Sequence, residues 1–359
     1  MTHQDILHWL TCEDDGELET LWRRADETRA ASVGDEIYLR GLVEVSNYCC
    51  RLCTYCGLRA DNSSLYRYRM DADEVVDCAR QAVSFGYGTV VLQAGEDFHL
   101  SGEWFEDVIS RIKSETPVAV TLSLGERKPA ELERWKKAGA DRYLLRFETS
   151  NRNLFDKIHP PRTPNEYSDR MDLLRTLSEI GYEVGSGVMI GIPGQTWADL
   201  ANDILAFSGW DLDMVGVGPF IPHPATPLGN PSPSDFAAPT EQVPATELMT
   251  YKTLALTRLL CPTVNLPATT ALATINPKQG RELALKRGAN IIMPNITPLK
   301  YRTRYEIYPG KAAKNETAEE TNGKVVGQVS RMGRTIGSGR GDSPHYRKNK
   351  VLNAHLKEL

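Results

Sequence analysis

Four of the chain's seven cysteines, Cys49, Cys50, Cys53 and Cys56, fall within eight residues, directly after an apolar run from Leu42 to Val45. The thiols therefore sit on the loop that leaves a short buried strand. Cys49, Cys53 and Cys56 are spaced C-x3-C-x2-C, and a loop of that length can wrap an iron-sulfur cubane. Closed 4Fe-4S sites take four cysteines, so three thiolates leave one iron open to a further ligand. An open iron is a place for chemistry. A structural zinc ion is the competing reading, but it takes two separated ligand pairs, and no C-x2-C or H-x3-H occurs outside the Cys49–Cys56 loop. Cys50 offers the alternative register C-x2-C-x2-C. Neighbouring side chains on extended backbone point to opposite sides, so one of Cys49 and Cys50 is a bystander, and Cys50 is the expected one.

Polar residues at strand ends form a second group. Arg142, Arg146 and Glu148 share one parity on a strand whose core-facing positions would ordinarily be Val or Ile. Charges placed inside must be paired or bound to a ligand. Glu148 suits a ribose diol or an amino group, Arg146 suits an anion, and these two are the candidates for catalysis. Thr121 and Ser123 lie two apart, on one face. Gly95-Glu96 ends a strand with backbone open to close approach, although an ordinary turn explains it equally well. Gly187 to Thr196 reads the same two ways, as a flat surface for a ring or as a Gly-Pro turn. His223 is a loop histidine that could carry a proton or bind a metal, yet most such histidines do neither.

The elements that must position these groups follow from periodicity. Residues 4–31 form one or two amphipathic helices, expected to precede the first strand and to close the bottom of the fold. Strands are expected at Leu42–Val45, Thr89–Gln93, Val118–Leu124, Tyr143–Phe147, Val184–Ile190, Met214–Val217, Val264–Pro267 and Asn290–Met293. Helices fall between them near 71–85, 101–115, 129–138, 166–180, 196–208, 244–260 and 278–287. Eight alternating units imply an α/β fold, a (β/α)8 TIM barrel spanning residues 1–310, with its site at the C-terminal ends of the strands. Past Gly310 the chain turns polar, and from Arg331 to Lys350 it is basic, Gly- and Ser-rich and poor in apolar residues. Residues 311–359 are expected to be a polar, partly ordered extension. At 359 residues and 41% hydrophobic, with a net charge of −5, the chain is expected to be cytoplasmic, with no nucleic-acid or membrane partner. Met1 to Leu10 lacks the pattern of a signal peptide and no apolar run reaches about 18 residues. The isolated Cys12, Cys78 and Cys261 read as packing residues.

The C-x3-C-x2-C motif with Tyr55 before its last cysteine resembles that of the radical S-adenosylmethionine (SAM) enzymes. The stretches EVSNYC, CTYCGLRADN, RYRM, VLQAGED, VTLSLGE, AGADRYLLRFET, GIPGQT, DMVGVGPFIPHP, LPATTA and NIIMPN, spread from about Arg40 to Gly310, are similar to one branch of that family. This is the HydE-type maturase branch of iron-iron hydrogenase, related to biotin synthase and methylornithine synthase. The resemblance implies one 4Fe-4S cluster on Cys49, Cys53 and Cys56, with SAM on its open iron as the source of a 5'-deoxyadenosyl radical. It also implies that Tyr55, Gln93, Gly95, Thr121, Glu148, Arg170, Met293 and Tyr305 hold SAM. Arg40, Arg142, Arg146, Thr269 and Thr270 would line a cavity for substrate. The implied substrate is a small iron complex bearing CO and cyanide, supplied by a partner maturase, with a ferredoxin or flavodoxin as electron donor.

Two departures bear on that implication. No cysteine follows Cys261, so the accessory cluster of some members is not expected, and Phe147 stands where the family pattern has histidine. They leave open a paralogue acting on an amino acid, as methylornithine synthase does. A non-catalytic iron-sulfur carrier is the alternative from another class, disfavoured by the charged strand ends, since a carrier needs no cavity.

Overall fold

The computed structural model describes residues 1–161, 163, 168–231, 238 and 240–348. Two helices, α1 (His3–Thr11) and α2 (Asp15–Val33), lead into β1 (Tyr38–Ser46), α3 (Ala72–Ser84), β2 (Thr89–Ala94), α4 (Gly102–Glu115) and β3 (Ala119–Ser123). The alternation continues with α5 (Pro129–Ala138), β4 (Arg142–Leu144), α6 (Arg152–Ile158), α7 (Arg170–Ile180), β5 (Glu183–Ile190), α8 (Trp197–Gly209) and β6 (Met214–Pro219). Then come α9 (Glu247–Leu260), α10 (Thr270–Ile275), α11 (Gly280–Leu285), β7 (Ile291–Ile292), α12 (Leu299–Arg302) and α13 (Ala318–Arg331). Residues 166 and 167, where the helix expected over 166–180 was to begin, and the extension beyond residue 348 lie outside the described residues.

Local chemistry sets the boundaries. Thr196 and Asp199 close α8 with a reciprocal capping box, and Thr317 and Glu320 do the same for α13; each box satisfies backbone donors that a helix start leaves open. Pro129 opens α5 and Gly139, at φ +110°, ends it. Each helix turns an apolar stripe inward; α3, for example, buries Val75, Val76, Cys78, Ala79 and Ala82.

The strands are all parallel, in the order β6-β5-β4-β3-β2-β1-β7. Seven strands are assigned among the described residues where eight were expected. The eighth segment, residues 264–268, closes the ring through single bridges, Asn265 to Met214 and Pro267 to Ile291. Its ladder is thin because Pro267 has no N–H to give. Side-chain amides take over: Asn290 Nδ2 donates to Asn265 Oδ1 at 2.8 Å, and Leu266 N donates to Asn290 Oδ1 at 2.8 Å.

The N-terminal mouth of the barrel is closed differently from expectation. Helices α1 and α2 pack on the flank, against α8 and α9, and residues 335–347 form the floor. Ile37 N donates to Thr335 O (2.9 Å) and Gly337 N to Ile37 O (3.0 Å). Ser343, wholly buried, gives its N–H to Glu183 Oε1 (3.0 Å) and its hydroxyl to Asp213 Oδ1 (2.9 Å). Arg340 pairs with Asp141 at 2.6 Å. Gly88 admits this floor, since a Cβ there would lie 1.7 Å from Gly339 O. The segment is polar, as its sequence says, because it answers the polar groups at the strand starts; upstream, Val325 and Val329 of α13 join the core.

Candidate active site

The cysteines lie on an irregular loop between β1 and α3, which other groups must hold in shape. Arg67 does most of this. Its guanidinium donates to four carbonyls, those of Asn47 (2.5 Å), Leu58 (2.9 Å), Arg59 (2.8 Å) and Asn62 (3.2 Å). Arg59 donates to the carbonyls of Cys53 and Leu52 (3.2 and 3.3 Å), and Asn62 Nδ2 to that of Gly57 (2.7 Å). Gly57 is required, since a Cβ there would lie 2.3 Å from Glu306 O, and Gly95 likewise, its Cβ falling 2.2 Å from Tyr48 O and 2.7 Å from Cys49 Cβ. Gly95 is thus the seat on which the first cysteine rests.

Burial pushes the Cys49 thiol up to about 12, helped by Cys56, and the Cys56 thiol up to about 11. Burial also holds Cys53 well above the usual range, with Cys56 and Cys49 adding to the effect. The three thiols are therefore neutral, Cys53 buried and Cys49 and Cys56 partly exposed, and any metal group they bound would have to displace their protons. Among the described residues no three His, Cys, Asp or Glu side chains converge on a single ion position.

A charged chain ties the loop to the strand ends. Arg51 Nε meets Glu96 at 2.5 Å and its Nη2 meets Glu126 at 3.3 Å; Arg170 Nε meets Glu126 at 3.1 Å and donates from Nη1 to Arg146 O at 2.8 Å. Tyr55 lies 2.9 Å from His159 Nε2. Burial and then the Arg170 charge hold His159 well below its ordinary pKa, so the imidazole is neutral. Its Nδ1, 3.2 Å from Phe155 O, carries the proton, and Tyr55 donates to Nε2.

Below the loop is a cavity of about 330 Å³, within the roughly 300–1,000 Å³ typical of a small-molecule pocket. Tyr55, Cys56, Gln93, Arg146, Glu148, Arg170, Thr269, Thr270 and Met293, all singled out in the sequence, line it. Glu148 has φ +64°, a strained position for a residue with a side chain, at a cost on the order of 1–3 kcal/mol. Hydrogen bonds to both neighbours on β5 hold it there: Glu148 N to Gly187 O and Met189 N to Glu148 O, each 3.1 Å. Its Oε2 is 3.2 Å from Arg146 Nη2 but makes no hydrogen bond, and Arg146 Nε, Thr121 Oγ1 and Thr269 Oγ1 are likewise buried without one.

Other predicted residues fall elsewhere. Thr121 and Tyr305 are buried behind the cavity wall, where Gln93 Nε2 donates to the Tyr305 hydroxyl at 3.1 Å. Arg40 and Arg142 do not line the cavity. They sit at the opposite end, where Arg40 donates to Gly341 O (3.0 Å) and Arg142 to Glu183 (2.5 Å), to Arg340 O (2.9 Å) and to the Asp342 carboxylate. The floor segment has taken the place expected for substrate. Phe147 points out of the barrel to Phe207, ring centroids 5.8 Å apart, so this departure lies outside the cavity. Gly187 and Gly191 serve packing: a Cβ would lie 1.9 Å from Gly216 O or 2.4 Å from Ala245. His223 is buried, its Nε2 without a hydrogen bond and 3.7 Å from Glu306. Sequence reasoning missed Arg67, Arg51, Glu126 and His159, although Arg67 and Glu126 lie in the RYRM and VTLSLGE stretches.

Residues 43–206 match the radical SAM superfamily. The chain is 47% identical over 336 residues to the FeFe hydrogenase maturase subunit HydE of Thermotoga maritima, spanning 94% of this chain and 92% of that protein. It is 26% identical over 314 residues to 3-methylornithine synthase of Methanosarcina acetivorans, spanning 85% and 83%. The crystal structure of methylornithine synthase (PylB) matches with a TM-score of 0.79 at 24% identity, over 94% of each chain, a likeness of fold. No helix among the described residues is long and apolar enough to cross a membrane. A cysteine loop above a polar barrel cavity, together with near-full-length identity of this order, makes the chain a radical SAM enzyme of the HydE-type maturase branch.

Proposed function

We propose that Cys49, Cys53 and Cys56 hold a 4Fe-4S cluster and that SAM fills the upper cavity. Tyr55, Gln93, Glu148, Arg170 and Met293 would stand around it, Gly95 would back the cluster loop, and Thr121 and Tyr305 would set the wall behind. When bound, these groups supply a 5'-deoxyadenosyl radical, chemistry that belongs to the cofactors. The chain's own part is to place and shield them. The single observation that carries this reading is the set of buried polar atoms in the cavity lining that make no hydrogen bond, Arg146 Nε, Thr269 Oγ1 and Glu148 Oε2, the last held only by its ion pair with Arg146. Buried polar groups ordinarily find hydrogen bonds, and a polar ligand would supply them.

The substrate would occupy the remaining space beside Arg146, Thr269 and Thr270, with Arg40 and Arg142 left out because the floor segment engages them. The 47% identity to a hydrogenase maturase subunit favours a small iron complex bearing CO and cyanide, on the way to a hydrogenase's two-iron centre. In that role a partner maturase would deliver the complex and a ferredoxin or flavodoxin would supply electrons. An amino acid is the second reading, favoured by the match to 3-methylornithine synthase over 85% of this chain. The test is anaerobic reconstitution, reduction and incubation with SAM and each substrate class. Formation of 5'-deoxyadenosine or an adenosylated product only with the iron complex is the expected result. Turnover with amino acids alone would assign the second reading, and SAM-insensitive transfer of the cluster to an acceptor protein would make the chain a carrier.

A further inference from the structure

Outside the barrel, α10, α11 and α13 enclose a second cavity of about 420 Å³. Its charged side chains are Lys278, Arg281, Lys324 and Arg331, against the single carboxylate of Glu316. That carboxylate is already committed, accepting from Lys324 Nζ at 2.8 Å and Thr321 Oγ1 at 3.4 Å. Lys278, Arg281 and Arg331 form no ion pair among the described residues. Lys278, Lys324 and Arg331 stand exposed at the rim, while Arg281 is half-buried at the base, its Nε shielded from water and without an acceptor.

The shielded guanidinium of Arg281 has only the Glu316 charge near it, shared with Lys324, beside the further cations Lys278 and Arg331, an arrangement that an additional anion would complete. From this geometry we infer that the pocket binds a small multivalent oxyanion. Arg281 supplies the planar fork that matches oxyanion geometry, and the rim cations supply charge from several sides. The pocket adjoins the barrel cavity, with Tyr308 between them in contact with Thr274. Tyr308 lines that cavity, whereas Arg281 and Thr274 line the outer pocket.

The experiment is calorimetric titration of the reconstituted full chain with inorganic phosphate and, separately, malonate, at ionic strength held constant with chloride. One saturable site is expected for at least one of them. Phosphate alone would mark a phosphate-bearing ligand, and malonate alone a dicarboxylate. Arg281→Gln should weaken binding at least tenfold, and Lys278→Gln, at an exposed position that folding does not need, by several-fold. Lys157→Gln, an exposed control elsewhere, and Arg146→Gln, in the barrel cavity, should leave it unchanged. Absence of a saturable site, undiminished binding in Arg281→Gln, or loss in Arg146→Gln alone would overturn the assignment. So would capture of poly-glutamate without phosphate or malonate binding, which would make the pocket a protein-docking site.

Discussion

Replacing Arg67 by methionine removes the guanidinium and keeps the volume of its stem, so the perturbation falls on the cysteine loop. Four carbonyls lose their shared donor. A hydrogen bond to a charged group contributes about 1.5–3 kcal/mol net, but Arg67 is only half-buried and part of each loss is recovered from water. A total of about 3 kcal/mol against the ordered loop is therefore expected, roughly a hundredfold in its local equilibrium. The barrel should still fold, because the loop contributes little of the apolar core. Iron and sulfide content after reconstitution should fall steeply, far-UV circular dichroism should be unchanged, and amide protection should drop across residues 47–62. Arg67→Lys should recover only part of the iron, since an ammonium cannot span four acceptors with a fixed fork. Full iron content with unaltered amide protection in Arg67→Met would refute the view that this side chain shapes the loop.

Cys49→Ser, Cys53→Ser and Cys56→Ser should each abolish the SAM-dependent change in the cluster's EPR spectrum, while Cys50→Ser keeps most of the iron; the opposite behaviour of Cys49 and Cys50 would move the motif by one residue. Glu148→Gly should relieve the strain at φ +64° and raise thermal stability by about 1 kcal/mol, while SAM binding measured by calorimetry weakens; a loss of stability would show the backbone there to be unstrained. His345 is raised by its hydrogen bond to Asp213, with Asp211 adding to it. A base with a raised folded pKa contributes stability that is fully present below its unfolded value, about 6.5, and lost as pH rises through the folded value. The melting-temperature difference between wild type and His345→Gln should therefore shrink from pH 6 to pH 9, and a difference independent of pH would remove His345 from the anchoring of the floor.

The cluster loop was legible because its three cysteines are close in sequence, so spacing alone carries the geometry. The parity of Arg142, Arg146 and Glu148 was legible too, and the odd-numbered Phe147 does face the other way. Depth was not. Parity tells which face a strand residue takes, but the β5 partners of Arg142 and Glu148 are Glu183 and Val188, five residues that at about 3.3 Å each put Arg142 some 16 Å below Glu148, at the far end of the barrel. Its partners there, Glu183 and Asp342, come from segments that no local pattern links to it. The polar floor was read as a partly ordered extension because poverty in apolar residues usually means solvent; here it meets the buried Glu183 and Asp213. The eighth strand was legible as an apolar run, but not the exchange of backbone ladder for Asn265 and Asn290 side chains.

The polar atoms near the cavity divide into two sorts, and the division bears on how binding energy is used. Arg51, Glu96, Glu126, Arg170, Tyr55 and His159 are already joined to one another, so they are fixed before any ligand arrives and lose little freedom when one does. Arg146 Nε and Thr269 Oγ1 are buried in the lining without a hydrogen bond, and Glu148 Oε2 has only its ion pair with Arg146; an unmet buried group costs the folded protein about 1–3 kcal/mol. A ligand that meets them recovers that cost as affinity, and preorganised neighbours spare it the entropy of ordering the site. Glu148 belongs to both sorts. Its backbone is pinned by β5 in a conformation it would not choose, and its carboxylate oxygen is left over. The strain and the missing hydrogen bond lie on one residue, which is why that residue, rather than any member of the Arg51–Glu96–Glu126–Arg170 chain, is where loss of ligand and gain of stability should coincide.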